Sequence, residues 1–304
     1  MRRLRKYIFN NYISPSPAAR RIVKEIKNAS QLYKDWRRFE NGPPAVMCLE
    51  MTNICNANCV FCAYQYQDDF RRERGFMSDE IFKRALAGYK GVGGKLLSFA
   101  PIIGETLLDS KIIERIRYAK NQGFIISLFT NGILLHTIDL EDFIQSGLDV
   151  LILSTSPFDK KSHELIYRTP HYDDLLCGVA ELLKRRKKLK SRLKLKIVFR
   201  SHMPYHQVVR LPDFQDKIKP FLNRQELDVM YVGFKDFDNC VGRISKDDLI
   251  DDMDLAKPIR YKIWPCMWSF GLMVLYDGKV GACPNRFSMA GHGKAGDELC
   301  LGVG

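Results

Sequence analysis

Short apolar runs alternate along this chain with longer segments in which apolar residues recur every three or four positions. The runs predict β-strands over residues 45–52, 95–101, 124–129, 148–155, 193–201 and 227–233. The intervening segments predict helices: Ser78 is placed to cap one that reaches about Tyr89, and Ser110 begins one that Gly123 ends. Strands that alternate with helices form a parallel sheet with helices outside, so the pattern predicts an α/β fold.

Polar and reactive side chains follow the ends of four of these predicted strands. A cysteine-containing loop, residues 55–62, comes after the first strand, and Gly104 and Glu105 come after the second. Asn131 follows the third strand, and Ser154 closes the fourth. Because the carboxyl ends of parallel strands lie at one edge of a sheet, these residues are expected to converge there. The sequence therefore predicts an active site at this edge.

Three cysteines in the loop, Cys55, Cys59 and Cys62, have the spacing Cys-x3-Cys-x2-Cys. Three thiolates on one short loop are able to hold three corners of a cuboidal [4Fe–4S] cluster and leave the fourth iron open for a small molecule. A structural zinc site is the alternative, but it requires four protein ligands. Cys48 would have to be the fourth, and it lies in an apolar run that predicts a strand. The spacing favours the cluster and leaves zinc open.

Residues 49–62 resemble the cysteine signature of the radical S-adenosylmethionine (radical SAM) enzymes. In that signature an aromatic residue precedes the third cysteine, and Phe61 stands at this position. Residues 101–108 are similar to the Gly-Gly-Glu-Pro loop of the same family, with Ile103 in place of the first Gly and Thr106 in place of the Pro.

Later segments resemble the family in the family's own order. Residues 129–132 are similar to its Thr-Asn-Gly turn, and residues 149–154 resemble its fourth strand. Arg168, which follows a predicted helix, matches an arginine that is often found near the carboxylate of SAM. The resemblance covers residues 44–235 for the core and extends more loosely into the tail.

The resemblance implies a partial (β/α)6 TIM-like barrel with a [4Fe–4S] cluster on the three cysteines and SAM as a cofactor. Such enzymes take an electron from a donor such as flavodoxin or ferredoxin, cleave SAM to a 5′-deoxyadenosyl radical, and abstract hydrogen from a substrate. By resemblance, Glu105 meets the SAM amino group, Ser154 the ribose and Arg168 the carboxylate, while backbone near Phe61 flanks the adenine. The cofactor-binding residues implied in this way are Phe61, Gly104, Glu105, Asn131, Ser154 and Arg168.

After about residue 258 the alternation of predicted strands and helices ends. Asp277 and Gly278 separate two short apolar runs, which predicts a hairpin that brings Cys266 and Cys283 together. This pattern resembles the opening of the SPASM/twitch extension of radical SAM enzymes, which holds auxiliary [4Fe–4S] clusters. The resemblance therefore implies Cys266 and Cys283 as further metal ligands.

The later cysteines of such an extension are missing from the sequence, which leaves alternatives open. A truncated extension is one interpretation, and completion of a cluster by Cys240 and Cys300 is another. A third is that Cys266 and Cys283 are ordinary buried thiols of the hairpin. The predicted organisation is a basic N-terminal helical arm (1–44), a radical SAM core (45–257) and a SPASM/twitch-like segment (258–304).

The net charge of +13 is concentrated in two regions. Residues 1–40 carry eleven Lys and Arg against three Asp and Glu, and residues 184–196 carry nine basic residues and no acidic one. The second tract follows a helical apolar stripe, so it is interpreted as the solvated, cation-favouring end of that helix. For the N-terminal arm, contact with a membrane surface or an acidic partner stays open.

Composition restricts the remaining function classes. The chain contains nine cysteines, an odd number that argues against a disulfide framework, and no apolar run long enough to span a bilayer. A thiolate cluster needs a reducing compartment, so a cytoplasmic enzyme is expected. The 44 residues before the core favour a small-molecule, sugar-type substrate over a peptide, with a peptide maturase as the alternative. The other classes are an iron–sulfur electron carrier and a zinc-stabilised nucleic-acid-binding protein.

Overall fold

The computed structural model describes residues 42–69, 72–240, 242–257 and 271–281, with three isolated positions before residue 42. Its strands are β1 (Val46–Leu49), β2 (Leu96–Phe99), β3 (Ile125–Thr130), β4 (Val150–Thr155), β5 (Lys194–Arg200), β6 (Tyr231–Gly233), β7 (Gly271–Val274) and β8 (Val280–Gly281). Its α-helices are α1 (Asp79–Gly91), α2 (Ile112–Asn121), α3 (Leu140–Gln145), α4 (Lys160–Tyr167), α5 (Tyr172–Lys188), α6 (Tyr205–Val208) and α7 (Arg224–Asp228). No helix in the described ranges is long and apolar enough to span a bilayer.

The described strands form one sheet in the order β6-β5-β4-β3-β2-β1-β7-β8. Strands β1 to β6 run parallel to one another, and helical segments connect them. This arrangement confirms the predicted α/β fold with the parallel strands of a partial (β/α)6 barrel. Residues that follow the strands therefore lie at one edge of the sheet, where parallel α/β folds place their active sites.

The predicted C-terminal hairpin is present as β7 and β8, which pair antiparallel with Val274 opposite Val280. The turn between them contains Gly278 at φ +86°, a conformation that favours glycine. Strand β7 also pairs parallel with β1, where Val46 lies opposite Gly271. The hairpin thus extends the core sheet. Cys266 and Cys283, on either side of it, lie outside the described residues.

The helix boundaries follow from local hydrogen bonds. Ser78 caps α1 as predicted, because its hydroxyl accepts a hydrogen bond from the Ile81 N–H at 3.1 Å. The second helix begins at Ile112, later than the predicted Ser110, because the Asp109 side chain first binds the Lys111 N–H at 3.0 Å. Gly123 follows this helix with φ +89°, as a helix-ending glycine does.

The last predicted strand is wrong over its first half. Residues 227 and 228 belong to α7, and the strand is limited to β6. A capping box begins this helix: the Asn223 side chain accepts from the Glu226 N–H at 2.9 Å, and the Glu226 carboxylate accepts from the Asn223 N–H at 3.1 Å. Because these reciprocal bonds satisfy two helix-terminal donors, they favour a helix over an extended start.

The basic tract at 184–196 includes the last turn of α5, as the sequence interpretation held. One of its arginines faces inward. Arg186 and Glu226 form a buried, two-point ion pair, with Arg186 Nη2 at 2.9 Å from Glu226 Oε2. The same carboxylate accepts from the Leu195 N–H at 3.2 Å. The Arg186–Glu226 pair thus connects helix α5 to α7 and β5, while Lys194 and Lys196 are exposed.

Candidate active site

The cysteine loop lies between the end of β1 and a 3₁₀ segment at Ala63–Asp69. Cys59 is buried and Cys55 and Cys62 are half-buried, and none of them forms a disulfide. The turn is closed by a hydrogen bond from the Cys62 N–H to the Cys59 carbonyl oxygen, at 3.1 Å. The Tyr64 N–H donates to the Cys62 sulfur at 3.4 Å. The loop therefore presents three thiols at the carboxyl edge of the sheet.

The thiols influence one another's ionisation. The pKa of Cys55 is raised to about 12, chiefly by burial and then by the neighbouring charges of Glu105 and Cys62. The pKa values of Cys59 and Cys62 are also raised, chiefly by burial, and the other two thiols add to the shift at Cys59. Burial therefore favours the neutral thiol at all three positions when no metal is bound. A bound cation reverses this balance, because thiolate ligation to a metal displaces the proton.

The donor set fits an iron–sulfur cluster, which three thiolates can hold with one iron left open. Zinc needs a fourth ligand, and Cys48 packs in a separate cluster with Met273 and Leu275. Cys240 lies beside the loop, in an apolar cluster whose members include Cys62. Within the described residues no three Cys, His, Asp or Glu side chains already surround a metal position. The fit therefore rests on soft sulfur donors and on their spacing.

Helix α4 fixes the backbone of the cysteine loop. The Asn58 N–H donates to the Tyr167 carbonyl oxygen at 3.1 Å, and the Val60 N–H donates to that of Ile166 at 2.9 Å. The Phe61 ring packs edge-on against the Tyr167 ring, with centroids 5.7 Å apart. It also stacks on Phe237 at 5.5 Å. Because backbone and ring are both held, the loop geometry does not depend on the cysteine side chains alone.

Glu105 braces the neighbouring strand end. Its buried carboxylate accepts hydrogen bonds from the Thr130 hydroxyl at 2.6 Å, the Asn131 N–H at 2.8 Å and the Leu107 N–H at 3.0 Å. Burial raises the pKa of Glu105, and these three donors act in the opposite direction. The carboxylate expected to meet the SAM amino group is thus engaged by the protein itself.

Gly104 lets this loop approach the cysteine segment closely. Its φ is +122°, and an added Cβ would overlap the Thr52 carbonyl oxygen, so only glycine fits without strain. The next residue, Glu105, donates its N–H to the Ile54 carbonyl oxygen at 2.8 Å. The loop after β2 therefore lies directly on the backbone that leads into Cys55.

Asn131 joins the end of β3 to the cysteine loop. Its side-chain N–H group donates to Asn56 Oδ1 at 2.8 Å, and its oxygen accepts from the Ile133 N–H at 2.9 Å. Asn56 keeps a buried Nδ2 donor that has no hydrogen-bond partner among the described residues. A buried donor without an acceptor is costly, so this atom is a candidate ligand contact that the sequence did not single out.

Ser154 and Arg168 occupy different parts of the site. The Ser154 hydroxyl, near the end of β4, accepts a hydrogen bond from Arg200 Nε at 3.4 Å. Arg168 is exposed at the end of α4 with φ +50°, and it donates to Gln65 Oε1 at 3.0 Å on the 3₁₀ segment. The structure thus brings Ser154 to the strand-end edge and places Arg168 beyond the cysteine loop.

Arg200 is a site residue that sequence reasoning missed. It is the last residue of β5, and its guanidinium carbon lies 5.6 Å from the centroid of the Phe61 ring. Its positive charge lowers the pKa values of Cys59 and Cys62, against the larger effect of burial. The available signal was its position, because a polar residue that ends a buried parallel strand faces the same edge as Ser154.

A set of unpaired thiols at the carboxyl edge of a parallel α/β sheet defines a candidate iron–sulfur centre. A family model described as the radical SAM superfamily matches residues 49–206, just over half of this 304-residue chain. The chain therefore belongs to the radical SAM superfamily and is a radical SAM enzyme. The family implies a [4Fe–4S] cluster and SAM, in agreement with the donor set of the loop.

Curated relatives match part of the chain. A protein named “Probable GTP 3′,8-cyclase” from Pyrococcus abyssi is 26% identical over 187 residues, which cover 62% of this chain and 58% of that protein. The tungsten-containing aldehyde ferredoxin oxidoreductase cofactor-modifying protein of Pyrococcus furiosus is 28% identical over 106 residues, or 35% of this chain and 29% of that protein. The chain thus spans less than two thirds of the length of these relatives.

A solved structure extends the similarity to most of the fold. Streptococcus suis SuiB, bound to precursor peptide SuiA, has a TM-score of 0.61 and 13% sequence identity. The match covers 92% of this chain and 68% of that one. At this level of identity the similarity supports the fold, and it leaves the substrate of this chain to be argued from its own residues.

Proposed function

We propose that this chain reductively cleaves SAM at a [4Fe–4S] cluster held by Cys55, Cys59 and Cys62, and that it acts on a small-molecule substrate. The observation that carries the proposal is the convergence of three unpaired thiols with the polar ends of β2, β3 and β4 at one edge of the sheet. When bound, the cluster and SAM supply a 5′-deoxyadenosyl radical that abstracts hydrogen from a substrate C–H bond.

The protein's own contribution is ligation, orientation and exclusion of water. The three cysteines hold the cluster, and the backbone bonds to α4 set the loop that carries them. We assign Ser154 to the SAM ribose, Arg168 to its carboxylate and backbone near Phe61 to its adenine. Gly104, Glu105 and Asn131 form the braced turn beside the cysteines, which suits them to bind the amino-acid part of SAM.

Anaerobic reconstitution tests this function directly. With iron, sulfide, SAM and dithionite, the wild-type chain is expected to release 5′-deoxyadenosine, measured by chromatography. Samples without reductant or without iron serve as controls and should release none. An iron-loaded, SAM-bound protein that yields no 5′-deoxyadenosine would support the electron-carrier alternative. A colourless protein that contains only zinc would support the nucleic-acid-binding alternative.

Glu105→Gln is expected to weaken SAM binding about tenfold without loss of iron. An amide presents only one acceptor oxygen, so at least one of the Glu105 hydrogen bonds is lost and the Asn131 turn is displaced. A hydrogen bond to a charged group contributes about 1.5–3 kcal/mol, and 1.4 kcal/mol is tenfold in affinity. Isothermal titration of SAM is the measurement, with exposed Glu114→Gln on α2 as the matched control. Unchanged affinity would show that Glu105 is only a turn residue.

We further propose that Cys266 and Cys283 ligate an auxiliary [4Fe–4S] cluster beside the hairpin. Two cubane clusters correspond to about eight irons, so the reconstituted chain should bind about eight. The Cys55/Cys59/Cys62 triple alanine variant should then retain about four, measured by iron analysis and absorbance. A triple variant without iron–sulfur absorbance would indicate that Cys266 and Cys283 are not cluster ligands.

The proposed compartment is the cytoplasm, because thiolate ligands and a low-potential electron donor such as flavodoxin or ferredoxin require reducing conditions. A peptide substrate is the alternative to a small molecule. Contact of the basic residues 1–40 with a membrane surface or an acidic partner stays a separate proposal.

A further inference from the structure

Arg200 places a positive charge inside the candidate active site. It ends β5 at the carboxyl edge of the sheet, and its side chain is half-buried. Its Nε group donates to the Ser154 hydroxyl at 3.4 Å, and its guanidinium lies over the Phe61 ring. These contacts hold the stem of the side chain and orient the planar head. They use only one of the five N–H donors that a guanidinium carries.

The arginines whose side chains are buried in the described part of the chain each have a carboxylate partner. Arg72 pairs with Glu50, Arg115 with Asp109 and Arg186 with Glu226. Arg200 has no carboxylate within 4.0 Å among the described residues. A cation that is partly removed from water without a carboxylate partner is unfavourable, so the contrast favours an anion from outside the chain as its partner.

The nearby acidic group does not fill this role. An added Cβ at Gly233 would lie 3.6 Å from both Arg200 Nη1 and Asp236 Oδ1, so the two side chains border the same glycine. Asp236, however, is exposed, and its Oδ1 accepts from the Phe234 N–H at 3.2 Å. Because Gly233 carries no side chain, it does not cover Arg200 Nη1.

We propose that Arg200 binds an acidic group of the substrate, a carboxylate or a phosphate, through its two Nη groups. The inference rests on the proposed function, in which Arg168 binds the carboxylate of SAM. The planar guanidinium matches the two oxygens of such a group, and its contact with Ser154 places the acidic group next to the SAM ribose site. The substrate class is therefore a small organic acid or phosphate ester.

Anion binding by the reconstituted, SAM-saturated protein tests this inference. Inorganic phosphate is the probe, and its dissociation constant is obtained from thermal shifts over a concentration series. Wild type and the exposed-arginine control Arg192→Gln should bind phosphate equally. Arg200→Gln should bind it at least about tenfold more weakly, because charge-assisted hydrogen bonds are lost. Arg200→Lys, which keeps the charge but not the fork, should fall between them, with iron content as the check on folding.

Two outcomes overturn the inference. The first is equal phosphate affinity in wild type and Arg200→Gln. The second is an Arg200→Gln protein with weakened SAM binding but normal binding of decarboxylated SAM, which would assign Arg200 to the carboxylate of SAM itself. Failure of the proposed function is distinguishable from both, because it shows as a wild-type protein that neither binds SAM nor releases 5′-deoxyadenosine.

Discussion

Replacing Cys55, Cys59 and Cys62 together with alanine is expected to abolish 5′-deoxyadenosine release and to leave the loop without bound iron. The loss should be complete, because alanine offers no ligand and the remaining residues of the loop carry no thiolate. The fold should survive, since Asn58 and Val60 are held by backbone hydrogen bonds to α4. Only Cys59 contributes strongly to the core, and truncation of one small apolar side chain is a modest loss.

Iron analysis, absorbance and 5′-deoxyadenosine chromatography on the same samples measure this effect. Cys177→Ala is the matched control, because Cys177 is an exposed thiol on α5, remote in sequence from the loop. It should retain wild-type iron and activity. Circular dichroism of the triple variant should match that of the metal-free wild type. Normal 5′-deoxyadenosine formation by the triple variant would falsify the assignment of the cluster to this loop.

The sequence predicted the sheet well because each buried parallel strand contains a short run of apolar residues. Strands β2 to β5 each lie within or overlap a predicted run, and the Asp277-Gly278 turn marks its hairpin. The ends of the strands were less predictable. The strand predicted over 45–52 is shorter in the structure, where it is β1. Thr52 instead forms an antiparallel bridge with Phe76, a partner that no local sequence pattern identifies.

Site residues that lie close together in the sequence could be predicted from their spacing. Ion pairs between residues that are distant in the sequence could not. The three cysteines are close in sequence, so their spacing indicated the centre without any fold. Ion pairs such as Arg186 with Glu226 join residues 40 positions apart, and only the fold brings them together. Arg200 is recognised by the opposite feature: no carboxylate in the described part of the chain pairs with it, and a sequence alone does not show this.

Glu105 shows how a family resemblance and a structure complement each other. The resemblance of residues 101–108 to the Gly-Gly-Glu-Pro loop predicted contact between Glu105 and the amino group of SAM. The structure adds that its carboxylate already accepts three hydrogen bonds from within the chain. We therefore expect Glu105 to act on SAM largely by positioning Thr130 and Asn131, and the Glu105→Gln titration measures this indirect effect.

The Glu50–Arg72 ion pair is expected to make the largest single contribution to the stability of the site. Glu50 follows β1, and Arg72 belongs to the segment that returns from the cysteine loop. Their side chains are only 0% and 3% exposed, and Arg72 also lies over the Tyr276 ring of the hairpin, 5.5 Å from its centroid. The pair therefore ties the cysteine loop to both β1 and the C-terminal hairpin.

Glu50→Gln and Arg72→Met should differ in how much they lower the free energy of unfolding. Glu50→Gln leaves a buried guanidinium that cannot lose its proton, so a loss of about 3–5 kcal/mol is expected. Arg72→Met leaves a carboxyl group whose pKa burial already raises, so it can take up a proton and the loss is smaller. The Glu50→Gln/Arg72→Met double variant, which buries no charge, should recover much of the stability lost in Glu50→Gln.

Anaerobic urea unfolding at two pH values tests this asymmetry. In Arg72→Met the folded-state pKa of Glu50 lies above the unfolded one, so stability is lost as pH rises through the folded value. This variant should be less stable, relative to wild type, at about pH 8 than at about pH 5, whereas Glu50→Gln should show no such added dependence. Asp68→Asn is the control, because the Asp68–Arg74 pair is exposed and should contribute little. Equal, small losses in both single variants would show that the pair is not a buried tie between the cysteine loop and the hairpin.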